Sequence, residues 1–454
     1  MKKRLPLSRR RNPVGGYARP VKLGILEMGD AEYGDCIFVD LNGFKMLIDG
    51  GHPGDFEGGA KIRNQLKKLT PEPFEVDLLV VTHSHNDHIG CLPEMVKNKK
   101  LKAKVALVSD PDNRWGKPGG QDTLELDARA RTVLDLLGEE LPPPDSPNFE
   151  AAVDAGVTLE KRYRDMIEAL KNANTKVVRY RTDPQKPVTD LLKGKGVEIL
   201  GPTKKHLTIC SNALTKAHQD AVEVLRTTLG QDATISTADA VRTILEDSFD
   251  ALDAAKVKGA INDLSIVMTV KLGNDKVLLP GDMQFADPEM TGLEAEMKKL
   301  VQKVKSKGPY KAIKIAHHTS YNGWDKALHN DVLPAEILVH SGGRIDEDHP
   351  EKKTLDMLEE FSAGHTFLRT DRNGLIVLEM KNGQLETSFK GTPNDFTPNE
   401  GHDVGLTKTK EPQVSVKRTS GDIVRVIAEI PNSPSKVTIA VEISGGGEQL
   451  KKKL

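Results

Sequence analysis

Apolar positions along this chain change period repeatedly, and each change predicts an element. Lys22 to Leu26, Cys36 to Asp40 and Lys45 to Asp49 are short apolar runs that read as successive strands, with Asn42-Gly43 as a hairpin turn between the last two. Ala60 to Leu69 has helical spacing. Val76 to Thr82 is a short apolar run rich in β-branched residues that reads as a buried strand, Ile89 to Lys100 reads as a helix, and Val105 to Val108 as a further strand. Leu124 to Leu137 and Thr158 to Ala173 are helical by periodicity, with a Pro142-Pro143-Pro144 break between them. Lys176 to Tyr180 and Val197 to Leu200 return to strand character, and Leu214 to Lys258 reads as mostly helical, with a helix start near Thr237.

Further along, Asn262 to Leu272 and Lys276 to Leu279 predict a hairpin, Glu294 to Lys307 a helix, Ala312 to Ala316 and Glu336 to His340 strands, and Lys352 to Phe361 a helix. Beyond Thr392 the chain turns polar, then Val414 to Lys417, Asp422 to Glu429 and Lys436 to Ile443 read as three strands. Alternating strands and helices predict an α/β sandwich with sheets inside and helices outside. The domain reading is a basic tail over 1–20, a core domain over 21–392 with helical insertions at about 109–175 and 206–258, and a β-rich extension over 393–454 with a disordered end. Insertions beside a site commonly build its substrate walls.

Composition narrows the classes. The 454 residues are 37% hydrophobic and only 4% aromatic, so the core is aliphatic. A net charge of -1 excludes wholesale electrostatic attraction to nucleic acid, though not a local basic groove. Cys36, Cys91 and Cys210 are widely spaced, form no finger pattern and suit a reducing, cytoplasmic compartment. No run of about eighteen apolar residues predicts a membrane span, and the basic stretch Met1 to Arg11 lacks the apolar segment of a secretory signal.

The chemistry concentrates in His83-Ser84-His85-Asn86-Asp87-His88, between a predicted strand and a predicted helix. Four of these six side chains can bind a metal, and imidazole with carboxylate suits zinc and similar ions. Four such ligands exceed what one zinc with an open position needs, so the spacing points to two metals side by side.

His-x-His-x-Asp-His after a strand resembles the signature of the metallo-β-lactamase fold hydrolases. Met46-Leu47-Ile48-Asp49-Gly50-Gly51 is similar to that family's first motif, Val277-Leu278-Leu279-Pro280-Gly281-Asp282 to the motif of its metal-bridging Asp, and Ile315-Ala316-His317-His318-Thr319-Ser320 to its late His motif. The nearest subgroup is the ComEC-like hydrolase domain of DNA-uptake channels, whose paired His precede Gly-Ser where this chain has Thr319. Its Asn-x-x-Ser strand start resembles Asn262-Asp263-Leu264-Ser265, its final strand pair resembles Thr370 to Val377, and His340-Ser341-Gly342-Gly343 and His349-Pro350 also fit. The likeness runs from about Lys22 to Ser388 and implies an αββα four-layer sandwich with a dinuclear centre holding two divalent ions, zinc or manganese.

By that resemblance His83 and His85 take one ion, Asp87, His88 and His318 the other, and Asp282 bridges them. The His317 and His318 roles can be exchanged; His317 is otherwise the substrate-facing group that binds an anionic oxygen or protonates the leaving group. Asp49 holds a ligand His in place, and Asn262 and Ser341 contact substrate. The family's usual further His is missing between Gln219 and Ser265; Asn262 takes its place, or His206 or His218 folds back to supply it. Lys311, Lys314, Arg344 and Arg372 are candidate phosphate contacts.

A metal-bound water loses its proton near neutral pH, so the leading expectation is a phosphodiesterase or nuclease using a metal-activated hydroxide. Its substrate would be nucleic acid or a phosphodiester metabolite, and its protein partner a member of a bacterial defence or mobile-element system. The alternatives are a hydrolase of lactones, thioesters or other carbon-centred bonds, and a non-catalytic metal-binding scaffold.

Overall fold

The computed structural model describes residues 20–30, 33–109, 149–228, 236, 238–239, 241–242, 254–332, 334–346, 348–399, 413–418, 423–429 and 436–442. It falls into two compact units, 1–400 and 401–454. The basic tail, the helix at Leu124 to Leu137, the triple-proline break, the helix start near Thr237 and the final residues all lie outside the described residues.

In chain order the first unit contains β1 (Val21–Ile25), β2 (Ile37–Leu41), β3 (Phe44–Ile48), α1 (Ile62–Leu69), β4 (Phe74–Val81), α2 (Asn86–Ile89), α3 (Leu92–Lys97), β5 (Leu101–Val108), α4 (Phe149–Asn172), β6 (Lys176–Arg179), α5 (Lys186–Leu192), β7 (Val197–Gly201), α6 (Lys204–Thr228) and α7 (Ala254–Asn262). It continues with β8 (Val267–Leu272), β9 (Asp275–Leu279), α8 (Glu294–Lys307), β10 (Tyr310–Lys314), β11 (Ala335–His340), α9 (Lys352–Glu360), β12 (Thr366–Arg369), the single turn α10 (Thr370–Asn373), β13 (Ile376–Lys381) and β14 (Gln384–Ser388).

Two sheets form. The first has the order β14-β13-β1-β2-β3-β4-β5-β6 and the second β12-β11-β10-β9-β8-β7. Each is antiparallel on one side and parallel on the other: β3 to β6 run parallel, as do β9 to β12. One apolar cluster lies between the sheets, with Leu23, Val39, Met46, Leu78, Val80, Met268, Leu279 and Val339 among its members. A second packs α1, α3 and α4 on the outer face of the first sheet through Leu66, Met95, Tyr163 and Leu170. A third packs α6, α7, α8 and α9 on the second sheet through Leu214, Ile261, Leu300 and Leu355. The result is the expected αββα four-layer sandwich. Its parallel strands are buried on both faces, and so appear in sequence as unbroken apolar runs such as Leu78 to Val81.

Several expectations shift. The single helix over Ile89 to Lys100 is two short ones, because Gly90 leaves helical geometry (φ 7°, ψ -100°) and Pro93 opens the next. A Cβ at Gly90 would sit 1.5 Å from Gly51 O, so only glycine permits this contact between loops. Asn262 ends α7 and does not open a strand; β8 begins five residues later. The helices assigned to insertions differ most. α4 begins at Phe149 and lays Tyr163, Met166 and Leu170 in the layer over the first sheet, while α6 and α7 bury Cys210, Leu214, Val257 and Ile261 over the second. They are structural layers of the sandwich. Helix α5 was not read from sequence; its seven residues bury only Val188 and Leu192.

Residues 394–399 also stay with the first unit, past the expected boundary at 393. Asn394 Oδ1 accepts from Phe367 N at 2.7 Å, and Phe396 stacks on Phe367 with centroids 5.5 Å apart. Arg369, wholly buried, pairs with Asp371 at 2.6 Å and donates to Asn399 Oδ1 and to the carbonyls of Asp395 and Thr397. In the second unit, β15 (Gln413–Arg418), β16 (Ile423–Glu429) and β17 (Lys436–Glu442) form an antiparallel three-stranded sheet, each strand within a residue or so of its expected range. Among the described residues no helix is long and apolar enough to cross a membrane.

Arg369→Ala should strand the buried Asp371 carboxylate and release 394–399, lowering the stability of the first unit by about 3–5 kcal/mol in urea unfolding. Removing both charges together as Arg369→Leu with Asp371→Leu should recover part of that loss.

Candidate metal centre

The loops that leave the parallel strands at their carboxyl ends meet at one place. Asp49 follows β3, the His83 to His88 run follows β4, Asp282 follows β9, His317 and His318 follow β10, and Ser341 follows β11. Clefts outside the carboxyl ends of parallel strands are where α/β sheets bind ligands.

Asp87, His88, Asp282 and His318 each turn a nitrogen or oxygen to a common point; all four donors lie within 4.8 Å of one another and all four residues are buried. His318 Nε2 is 2.9 Å from Asp282 Oδ2 and 3.1 Å from Asp87 Oδ2, while His88 Nε2 is 3.0 Å from each of the same two oxygens. The two Nε2 atoms are 3.3 Å apart. His83 Nε2 and His85 Nδ1 face one another at 3.1 Å, and His83 Nε2 lies 3.9 Å from the same Asp282 Oδ2. The six residues thus lie close together, with Asp282 Oδ2 beside both the four-donor group and His83 Nε2.

The supporting contacts fix the rings. His88 Nδ1 donates to Asp49 Oδ2 at 2.8 Å, and Asp49 also accepts from Thr82 N at 2.8 Å and Thr82 Oγ1 at 2.6 Å. His318 Nδ1 donates to Ser341 O at 2.9 Å. His83 Nδ1 lies 3.2 Å from both the Thr82 and Ser265 hydroxyls, and Ser265 Oγ accepts from Asp282 N at 3.0 Å. With one ring nitrogen of each imidazole held this way, the other faces the cluster, which is the arrangement of a metal ligand.

His317, His318 and Thr319 all adopt left-handed backbone, φ 48°, 44° and 69°. Three such residues in succession cost about 1–2 kcal/mol each. The turn is held by His317 N to Gly281 O and by His340 Nδ1, 3.1 Å from both His318 O and Thr319 Oγ1. It separates the neighbouring rings: His318 enters the cluster, and His317 lies outside the four-donor group. His317 Nε2 accepts from Asn262 Nδ2 at 3.0 Å, and its Nδ1 donates to Asn322 Oδ1 at 2.7 Å. Of the pair, His318 is the one whose ring joins the four-donor group.

Burial and charge pull these groups in opposite directions. Burial pushes the His318 imidazole down, but the charge of Asp282 together with the hydrogen bonds to Asp282 and Asp87 raises the ring to about 9. His88 is raised in the same way against its burial by Asp282, Asp87 and Asp49. Burial raises Asp87 and Asp282, yet the histidines and, for Asp282, Lys314 hold both carboxyls well below their usual range. Two carboxylates so placed hold protons on two imidazoles in the absence of a cation, and a divalent ion would take the place of those protons. The donor set, imidazole with carboxylate oxygen, fits such an ion.

Several expectations are corrected. Ser341 is fully buried, its hydroxyl donating to Gly34 O at 2.7 Å, so it supports His318 and does not face substrate. Asn262 is 1% exposed and holds His317. His206 Nε2 donates to Asp263 O at 2.8 Å, away from the cluster, and the His218 side chain lies outside those described. Among the phosphate candidates, Lys314 is buried against Asp35 and Asp282, Lys311 pairs with Glu336, Arg344 with Glu27 and Asp30, and Arg372 with Asn399. Asp35, Thr82, Asn322 and Tyr33, whose ring centroid is 4.9 Å from those of His318 and His349, were missed. They are single polar or aromatic residues without a motif.

Residues 29–209 match the family model described as the Metallo-beta-lactamase superfamily. The matched segment takes in Asp49 and the His83 to His88 run; Asp282 and His318 lie beyond it and are joined to it by the geometry above. A UPF0173 metal-dependent hydrolase of Methanobrevibacter smithii is 28% identical over 111 residues, 21% of this chain. The chain spans about half the length of that curated relative, 46%. Over residues 29–209 the chain is thus similar to that superfamily, and its αββα sandwich, with the buried cluster at the carboxyl ends of the parallel strands, is consistent with the same fold.

Asp49→Asn should leave the sandwich folded while loosening His88, and should weaken zinc binding by about 10–100-fold in competition titration against a chelator. The metal-free protein should also lose stability as pH rises. His318 is raised to about 9 when folded, so its contribution is complete below about pH 6.5 and is lost as pH climbs towards 9. Thermal melts of chelated and zinc-loaded protein across that window should diverge, the loaded form lacking this decline.

Proposed function

We propose that this protein is a metal-dependent hydrolase acting on phosphodiesters, with nucleic acid as the leading substrate class. The observation that carries the reading is that Asp282 Oδ2 faces the His88 and His318 rings on one side and lies 3.9 Å from His83 Nε2, itself beside His85, on the other. Two divalent ions, zinc or manganese, would be held by these groups with Asp282 between them. Bound there, they would acidify a coordinated water and draw charge from the attacked ester and its leaving oxygen.

The chain's own residues complete the chemistry. Asp49, Ser341 O, Thr82 and Ser265 hold the ligand rings so that the charge of the site is set before substrate arrives. His317, held between Asn262 and Asn322 and 8% exposed, places an imidazole beside the centre, and an anionic oxygen of the substrate would take its one N–H in place of Asn322 Oδ1. Burial lowers this ring to about 3, so it is neutral at physiological pH and acts by hydrogen bonding; it does not bring a proton of its own to the leaving group. The relative's name includes metal-dependent hydrolase, which supports the general activity. The likeness of the late His pair to DNA-uptake hydrolases favours phosphodiesters over esters, and a cytoplasmic role beside a defence or mobile-element partner belongs to the same reading.

Protein purified without chelator should carry at least about one metal ion per chain by elemental analysis; less would favour a scaffold. Manganese- or zinc-loaded enzyme should cleave at least one of single-stranded DNA, duplex DNA, RNA and bis-p-nitrophenyl phosphate. Asp282→Ala and His85→Ala should abolish that turnover without unfolding the protein. Hydrolysis of lactones or thioesters with none of the phosphodiesters would overturn the substrate class.

A further inference from the structure

Lys314 ends β10, three residues before His317, and is 1% exposed. Its Nζ lies 2.7 Å from Asp35 Oδ2 and 3.3 Å from Asp282 Oδ1. Asp35 stands in the loop between β1 and β2 of the first sheet, and Asp282 follows β9 of the second. The ammonium therefore ties the two sheets together behind the metal centre. Asp35 is itself anchored, its N donating to Asp87 O at 3.2 Å and its O accepting from Gly51 N at 2.8 Å.

The two oxygens of Asp282 have different partners. Oδ2 faces His318 and His88 at 2.9 and 3.0 Å, while Oδ1 faces Lys314. A carboxylate can bind a cation through one oxygen or both, and its terminal torsion is soft. An ammonium carries donors only and cannot itself be a ligand.

We propose that Lys314 is a positioning residue that reserves Oδ1 of Asp282, so that Asp282 presents Oδ2 alone to the metals. This rests on the reading of the cluster as a metal centre. Lys314 thereby acts as a fixed cation of the site, matched to Asp35 on one side and to the shared carboxylate on the other. The lysine expected at the substrate phosphate instead works behind the ligands, on the geometry of the ion they hold.

The test uses the full chain as wild type, Lys314→Met, Lys314→Arg and the double variant Lys314→Met with Asp35→Leu, each stripped with chelator and titrated with zinc and with cobalt(II). Wild type should bind metal with a defined cobalt(II) visible spectrum. Lys314→Met should bind about 10–100-fold more weakly and show an altered spectrum, because Asp282 is free to turn or to chelate through both oxygens. Lys314→Arg, which keeps a charged donor, should return the spectrum towards wild type, a rescue that a mere packing role would not give. The double variant removes the ion pair as a unit and keeps the test open if the single one fails to fold. Unchanged affinity and spectrum in Lys314→Met, or in the double variant where the single one fails to fold, would overturn the proposal alone. A wild-type protein that takes up no metal would remove the metal-centre reading and this proposal with it.

Discussion

Four carboxylates, a lysine and the metal-facing imidazoles share a volume from which water is almost excluded. Asp35, Asp49, Asp87 and Asp282 are at most 3% exposed, and Lys314, His88 and His318 at most 1%. Charges so buried persist only when each has a partner at bonding distance. That requirement explains much of the architecture around the centre. It draws five loops from two sheets to one point, and it keeps Gly90 against Gly51 O. It also sustains a left-handed turn across three side-chain-bearing residues, His317 to Thr319. Backbone strain of this kind survives where its surroundings over-determine it.

The aliphatic sandwich supplies the rigidity. With sheets packed on each other and helices on both outer faces, the parallel strands cannot slide, so the loops at their carboxyl ends have fixed origins. The electrostatic cluster and the apolar layers depend on one another. The layers hold the loops in register, and the paired charges fasten the sheet ends, most directly through Lys314 between Asp35 and Asp282. Arg369 does comparable work at the far end of the second sheet, where it binds the segment leaving the first unit.

For chemistry, the consequence is a centre whose ligands are oriented before any ion or substrate arrives. His83, His88 and His318 are held through their second ring nitrogens, and the Asp282 carboxylate through its second oxygen. Such preorganisation places charge where a transition state develops it without reorganisation during reaction. The surface cations near the site are mostly paired with acids of the same chain, Arg344 with Glu27 and Asp30 among them.

The sequence alone determined the local matters. The compact His83 to His88 run, the Asp49 and Asp282 loops and the His317-His318 pair were legible because ligand types at fixed short spacing are rare by chance, and the buried strands because their runs are continuously apolar. Tertiary structure decided whatever depends on residues far apart in the chain. It assigned His318 to the cluster and His317 to its margin, through a turn that Thr319 does not announce. It moved Ser341 and Lys314 from expected substrate contacts to buried supports, and it made α4, α6 and α7 layers of the sandwich where insertions were expected. The reason is common to all of these: a side chain's polarity is written at its own position, but whether water, a ligand or a distant partner satisfies it is settled only when the sheets close around it.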